Sequence, residues 1–233
     1  MHSNSYTIIF TSIITIILGS ILSVAAGVLE DTQNLNVEND SKKNILISLG
    51  YEQPLGKPWT SGMIQNIFDE NIDAFVLDSE GNRTNLDPKS IDTEIDKNNL
   101  PIYVDEKAGV IEGYAIPISG KGLWSTLFGY FAVSPDAVTA KGITFYSHKE
   151  TPGLGGEVEK PWFQNNFVGK RFIDEEGKLV GIKVIKGKAN PDSEYEVDGI
   201  SGATITSKGL ENFLVDDLKK YEPFFKKIRN GQS

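Results

Sequence analysis

The chain has 233 residues, yet it contains no cysteine and only two histidines. Without thiols it can form neither a disulfide scaffold nor a thiolate zinc site, an iron–sulfur cluster or a cysteine nucleophile. Two histidines are also too few for a multi-histidine metal site. The composition therefore excludes several common metal chemistries and all thiol chemistry.

Basic residues are in the minority as well. The sequence has 23 Lys and Arg against 32 Asp and Glu, which gives a formal net charge of −9. Proteins that bind DNA or RNA need clustered positive charge to neutralise phosphates. A nucleic acid is therefore not expected as a partner.

Charge is absent altogether from the first 29 residues. As a helix, residues 6–29 would extend about 36 Å, enough to cross a hydrocarbon core of about 30 Å. A small-residue stretch at 23–26 leaves a cleaved signal peptide as the alternative, but the apolar run is long for one and no basic residue precedes it. The sequence predicts a retained membrane anchor, and the charge rule for orientation leaves its topology open.

Three parts are expected along the chain: an N-terminal anchor at 1–29, a juxtamembrane linker at 30–43 and one domain at 44–233. Hydrophobic periodicity predicts helices at 43–49, 60–71 and 206–221, the last ended by Pro223. It predicts short strands, separated by turns, at 72–78, 102–104, 110–118, 127–133, 143–146 and 179–185. This pattern is typical of an α+β domain with a mainly antiparallel sheet flanked by helices.

Residues 198–207, the threonine motif, place small residues and hydroxyls directly ahead of the last predicted helix. A helix N-terminus offers free N–H groups and a favourable dipole to an anion, and small residues let a ligand approach the backbone. The alternative is structural, with Thr206 or Ser207 as a plain helix N-cap after a turn. The residues alone leave both interpretations open.

The threonine motif resembles the flavinylation signature Asp-x-x-Ser/Thr-Gly-Ala-Thr of FMN-binding domains in respiratory membrane complexes. Asp198 opens it here, Ser201, Gly202 and Ala203 follow, and Thr204 closes it. The resemblance implies that Thr204 carries FMN through a phosphoester bond, attached by a dedicated flavin transferase that uses FAD. Because a threonine hydroxyl is a weak nucleophile, the transferase and its metal must activate it.

Residues 147–156, the glycine-rich segment, contain Glu-Thr-Pro-Gly-Leu-Gly from Glu150 to Gly155. Taken alone they predict a tight loop, and their glycines form no dinucleotide fingerprint. They resemble the loop that lies against the flavin ring in the same family, with Glu150 among its residues. The resemblance implies that Leu154 presents an apolar face to the ring and that Thr151 or Gly155 offers a polar group to its edge. The segment's one histidine is expected to be a surface or structural residue rather than a catalytic base.

Residues 118–130, the tryptophan segment, are basic and glycine-rich around Gly-Lys-Gly-Leu-Trp-Ser. A loop between two strands, with Trp124 buried in the core, would explain them. That hexapeptide also resembles a segment of the NqrC family, which are subunits of the sodium-translocating NADH:quinone reductases. The resemblance implies that Trp124 is a packing wall for the flavin and that Lys121 is its charge partner.

The anchor and the three motifs stand in the order found in that family, so the resemblance covers nearly the whole chain. It implies a covalent FMN that relays single electrons in a membrane complex that pumps sodium, with the other subunits as partners. It also places the soluble domain on the periplasmic, outer side of the cytoplasmic (inner) membrane. Three alternatives stay open: the RnfG subunit of the related ion-translocating electron-transport (Rnf) complex, a membrane-anchored flavin-binding sensor domain, and a structural anchor protein without flavin.

The anchor and its orientation are tested together on intact spheroplasts. We expect the protein to stay in the membrane pellet, because the predicted helix is long enough to anchor it. We expect an added protease to degrade the domain, because the family resemblance implies that it lies on the outer face. Immunoblotting against the C-terminus measures both. Protection of the domain, or its release without the first 29 residues, would contradict the predicted topology.

Overall fold

The computed structural model describes residues 3–53 and 56–231. The remaining positions, which fall in the predicted anchor and domain, lie outside the described residues. The chain divides into two compact units, residues 1–40 and residues 41–233. The boundary lies close to the predicted start of the domain at residue 44.

The first unit is helical from Asn4 onward and belongs to helix α1 (Asn4–Ser48). Its apolar side chains are exposed, and α1 is the one helix in the described chain that is long and apolar enough to cross a membrane. The hydroxyls of Thr11 and Thr15 donate to the carbonyls of Thr7 and Thr11, each over 2.8 Å, so they need no water. The helix therefore fits a single-pass anchor. The predicted linker at 30–43 is helical too.

The second unit is built on a five-stranded antiparallel sheet in which every strand pairs with the next along the chain. Its strands are β1 (Ile72–Leu77), β2 (Leu100–Lys107), β3 (Val110–Lys121), β4 (Thr126–Val133) and β5 (Ala140–Ser147). Two short parallel strands follow, β6 (Lys183–Ile185) and β7 (Glu196–Asp198). The helices are the end of α1, α2 (Ser61–Asn71), α3 (Pro161–Gln164) and α4 (Thr204–Arg229). The expected α+β class with a mainly antiparallel sheet is confirmed.

Strand alternation gives the sheet two apolar faces, because neighbouring side chains point to opposite sides. Ile116 and Phe131 belong to the larger buried cluster, which includes Leu210 and Leu214 of α4. Their neighbours Ala115 and Ala132 belong to a smaller cluster on the opposite face. That cluster is closed by residues of α2 and of the C-terminal end of α1, so helices cover both faces of the sheet.

Pro223 does not end the last helix, contrary to the sequence prediction. Proline lacks an N–H and costs a helix interior about 3 kcal/mol, but α4 continues through it to Arg229. Contacts after and beside the proline hold the helix in place: Phe225 is fully buried, and Arg229 donates to the Ala137 carbonyl over 3.0 Å. Tyr221, half a turn earlier, donates to the Pro101 carbonyl over 2.8 Å. Tertiary packing thus overrides the local signal.

The strand predicted at 179–185 is also shorter than expected. Only Lys183–Ile185 pairs as a strand, and its partner is β7, which the sequence did not predict. The earlier half makes an isolated bridge between Ile173 and Leu179 instead. Strand β7 has three residues, too few for a detectable alternation of polar and apolar side chains.

The docking of α4 on the sheet depends on Gly120 of β3. A Cβ added at Gly120 would lie 2.2 Å from the Phe213 Cβ atom of α4. We expect Gly120→Ala to lower the free energy of unfolding by about 1–3 kcal/mol, the usual effect of overpacking. Denaturant unfolding of the full chain in detergent measures it.

Gly62→Ala is the matched control, because Gly62 lies inside α2 and an added Cβ would meet nothing within 4 Å. This variant should be unchanged or more stable, by roughly 0.4–1 kcal/mol, since alanine restricts the unfolded chain. Equal destabilisation by both substitutions would contradict the proposed packing.

Candidate functional site

The three sequence motifs meet at the carboxylate of Glu150, in the glycine-rich segment. Its Oε1 atom accepts the backbone N–H groups of Trp124 over 2.9 Å and Ser125 over 3.1 Å. Its Oε2 atom accepts the Leu123 N–H over 3.3 Å and the Thr206 hydroxyl over 2.7 Å. One side chain therefore joins the tryptophan segment, the glycine-rich segment and the first turn of α4.

Glu150 is held as an anion although only 5% of its surface is exposed. Burial alone would raise the pKa of this carboxyl, but the hydrogen bonds from Thr206 and from the backbone of the tryptophan segment outweigh it and hold the pKa below its usual value. Charge-assisted bonds of this kind are stronger than neutral ones. The sequence placed Glu150 among the cofactor-binding residues, and the structure shows that its carboxylate joins the three motifs.

Gly155 is packed against this carboxylate. A Cβ added there would lie 2.6 Å from the Oε2 atom of Glu150 and 2.8 Å from the Thr206 hydroxyl oxygen, so a larger residue would separate the pair. Thr151 is exposed, and its carbonyl accepts the N–H groups of Leu154 and Gly156 in a turn. These contacts give the glycine-rich segment a fixed shape.

The hydroxyl residues at the start of α4 have different surroundings. Thr204 is the first helical residue and is exposed, whereas Thr206 is 1% exposed and donates to Glu150. Neither Thr206 nor Ser207 is the N-cap, so that structural alternative is wrong. The N-cap is Ala203, which provides no side-chain hydrogen bond. The N–H groups of the first turn are therefore left without a side-chain cap.

A cleft of about 470 Å³ lies in front of Thr204. This volume is in the range of small-molecule sites, roughly 300–1,000 Å³. Its lining joins the threonine motif to the end of β6 and to α3: Trp162, Lys186, Gly187, Lys188, Asp198, Gly199, Ile200, Ser201, Gly202 and Thr204. Four of the predicted site residues, Asp198, Ser201, Gly202 and Thr204, thus share one cavity.

The charges around this cleft are arranged to receive an anion. Lys188 is paired with Asp198 over 2.5 Å, and this bond together with the Ala189 N–H lowers the pKa of Asp198. Lys186 is exposed and forms no ion pair with any described residue. The N-terminus of the 26-residue helix α4 adds partial positive charge at Thr204. A phosphate at the Thr204 hydroxyl would therefore be electrostatically favoured.

The other predicted residues have different settings. Leu154 is partly exposed and lies over Gly202, where an added Cβ would be 2.8 Å from its Cδ2 atom. Trp124 is 68% exposed, so the alternative that buries it in the core is wrong. Lys121 is an exposed residue at the end of β3. Among the described residues lining the cleft there is neither Lys121 nor Trp124.

The histidine of the glycine-rich segment, His148, has a structural setting. Its Nδ1 atom accepts the Glu150 N–H over 3.2 Å, and its Nε2 atom lies 3.4 Å from a carboxylate oxygen of Glu159. The Nδ1 atom is thus hydrogen-bonded within its own segment, whereas the buried Nε2 atom lies near the Glu159 carboxylate without a hydrogen bond to any described residue. His148 helps to orient the backbone at Glu150.

Sequence reasoning missed Trp162 and Lys186 as members of the cleft. Trp162 follows Pro161, a residue that often begins a helix, and this was the only local signal for α3. Lys186 lies in a lysine-rich stretch that is typical of ordinary surface. Lys186 directly follows β6, so the pairing of Ile185 with Asp198 of β7 brings it to the threonine motif.

Comparison with known proteins agrees with this geometry. Residues 122–219 match the model of the FMN-binding domain family, a range that contains the glycine-rich segment and the threonine motif. Fold and site together define an FMN-binding domain preceded by an apolar helix.

Comparison over the whole chain defines a narrower family. It is 32% identical to the NqrC subunit of the Na(+)-translocating NADH-quinone reductase of Yersinia pestis, over 97% of this chain and 93% of that one. The identity to the corresponding Pseudomonas aeruginosa subunit is 33%, over 100% and 98%. The chain belongs to the NqrC family of Na(+)-translocating NADH-quinone reductase subunits.

Two solved structures of this family have the same fold. The crystal structure from Parabacteroides distasonis superposes with a TM-score of 0.75 at 32% identity, covering 84% of this chain and 96% of that one. The structure from Shewanella oneidensis gives a TM-score of 0.68 at 25% identity, with coverage of 81% and 96%. Both matches span most of the chain.

The role of Glu150 predicts a pH-dependent stability difference. Glu150→Gln should lower the free energy of unfolding by about 2 kcal/mol at pH 7, because an amide cannot accept all four hydrogen bonds. The folded pKa of Glu150 lies below its usual 4.5, so its contribution is present above that pH and is lost as the pH falls through the folded value. The difference between wild type and variant should shrink accordingly.

Denaturant unfolding at several pH values measures this difference, with Glu175→Gln as control. Glu175 is exposed in a turn, so its replacement should change stability by less than about 0.5 kcal/mol at any pH. A Glu150→Gln effect that is absent at pH 7, or that stays constant as the pH falls well below 4.5, would contradict the role of the carboxylate.

Proposed function

We propose that this chain is the subunit of a sodium-translocating NADH:quinone reductase that carries FMN covalently on Thr204 and relays electrons within the complex. The observation that carries the proposal is the contrast between two hydroxyls of one motif. Thr204 is exposed in a cationic cleft, whereas Thr206 is buried and engaged by Glu150. Flavin chemistry supplies the one-electron transfers, and the protein supplies position and electrostatics.

The residues of the cleft fit a flavin phosphate. The uncapped first turn of α4 and the cation of Lys186 would hold its negative charge. Gly202 has a φ of +74°, a conformation that glycine adopts freely, and it brings the backbone close to the Leu154 side chain. Asp198 keeps Lys188 at the rim and binds the Ala189 N–H. The threonine motif thus supplies the acceptor, the close backbone approach and the anchored lysine.

Attachment needs help from outside the chain. The only carboxylate among the described lining residues is Asp198, which is already paired with Lys188, so no free base lies beside the Thr204 hydroxyl. We propose that a flavin transferase supplies the base and its metal. The Thr204 oxygen would displace AMP from the FMN phosphorus of FAD, and the hydroxyl proton would pass to the transferase.

The anchor and the family membership support a place in a membrane complex. Helix α1 would tether the domain, and the other subunits would provide the donor, the acceptor and the sodium path, since one helix is too little for an ion pathway. The proposed location is the periplasmic side of the cytoplasmic membrane. A covalent bond suits that location, because a dissociated flavin could not be replaced readily there.

The acceptor is tested by in-gel ultraviolet fluorescence after denaturing electrophoresis, on protein co-expressed with a flavin transferase. Wild type should give a fluorescent band, and Thr204→Val should lose it entirely, because valine keeps the shape but has no hydroxyl. Equal loading is checked by protein stain.

Ser207→Ala is the matched control, since Ser207 lies in the same turn and is buried. It should keep a wild-type band. A band that persists in Thr204→Val would move the acceptor to another hydroxyl, and no band in wild type would contradict covalent attachment.

A further inference from the structure

Trp162 differs from the other aromatic residues of the domain in where it lies. It is the second residue of α3, and it is the one aromatic side chain among the described residues that line the cleft of Thr204. The remaining lining is glycine, small polar or charged, apart from Ile200, which is 5% exposed. Any planar ligand in this cleft therefore has a single aromatic surface available on its wall.

The indole of Trp162 is fixed although it is not buried. Its Nε1–H group donates to Glu157 Oε2 over 2.8 Å, and its ring meets Phe163 edge to face at 5.7 Å between centroids. Phe163 is fully buried, so the contact is anchored in the core. Trp162 nevertheless remains 47% exposed. An oriented aromatic side chain with free surface is prepared to stack, because little rotamer freedom is lost on binding.

Neither of the other two tryptophans meets these conditions. Trp124 is more exposed and is not among the residues that line the cleft. Trp59 is half-buried and packs against the smaller core cluster, and it lines a different cavity. The geometry therefore favours Trp162 over Trp124, the wall expected from the sequence.

We infer that Trp162 is the surface on which the isoalloxazine ring of the Thr204-bound FMN packs, held in orientation by Glu157. The inference rests on the proposed function, because it needs a flavin on Thr204. Aromatic stacking adds attraction beyond the area it buries, and Lys186 and Lys188 line the same cleft as polar groups. Trp162 is thus a positioning residue for the ring, and Glu157 positions Trp162.

Flavin fluorescence gives a direct test, because an indole in contact with an excited flavin quenches it by electron transfer. The measurement is emission per attached flavin in the native protein, divided by emission after unfolding in denaturant. Wild type should brighten several-fold on unfolding. Trp162→Leu should already be bright when native and change less than twofold, and Glu157→Ala should lie between the two.

Trp162→Phe controls for a loss of quenching that is caused by misfolding, because phenylalanine keeps a ring in place but is a poor electron donor. It should be bright when native and unfold at the wild-type denaturant midpoint. Trp59→Phe is the matched control and should be quenched like wild type, because Trp59 lies in another cavity.

Trp124→Leu separates the two candidate walls. If it releases the quenching while Trp162→Leu and Trp162→Phe do not, the inference is overturned and the sequence prediction of Trp124 is correct. In-gel fluorescence of the same samples reports attachment independently of ring packing. A missing band in wild type overturns the proposed function and the inference together. If the protein carries flavin but its quenching does not depend on Trp162, the inference alone is overturned.

Discussion

One buried carboxylate, that of Glu150, accepts three backbone N–H groups and the hydroxyl of Thr206. The backbone donors lie more than 20 positions before Glu150 in the sequence, and Thr206 lies more than 50 positions after it. An ionised side chain out of water is costly unless such bonds are made, so the segments must come together for the carboxylate to be tolerated. The shape of the glycine-rich segment, and with it the position of Leu154 over Gly202, depends on this interaction.

The same interaction separates the roles of the two threonines. With its hydroxyl donated to Glu150, Thr206 is a structural residue, and the helix that it helps to place presents Thr204 to the cleft. The sheet supports this arrangement, because α4 packs on β3 and approaches it closely where Phe213 lies against Gly120. An anchored helix with an uncapped N-terminus and a nearby lysine provides the setting that a phosphate requires.

Much of this could be predicted from the sequence, because the signals are local. The antiparallel strands carry alternating apolar residues, and the threonine motif is a short contiguous pattern. Local sequence patterns cannot predict the hydrogen bond between Glu150 and Thr206, because 56 positions separate the two residues. The predicted end of the last helix at Pro223 was wrong for a related reason. Proline locally favours the end of a helix, but the burial of Phe225 two residues later outweighs that preference. Trp162 enters the cleft only through tertiary structure.

Site-specific mass spectrometry tests the central claim most directly. The tryptic peptide 189–208 of the purified protein contains every hydroxyl of the threonine motif, so its fragmentation can locate a modification. The account predicts a peptide heavier by FMN less one water, with the added mass on Thr204. The same mass on Thr206 or Ser207, or an unmodified peptide from protein matured with its transferase, would contradict it.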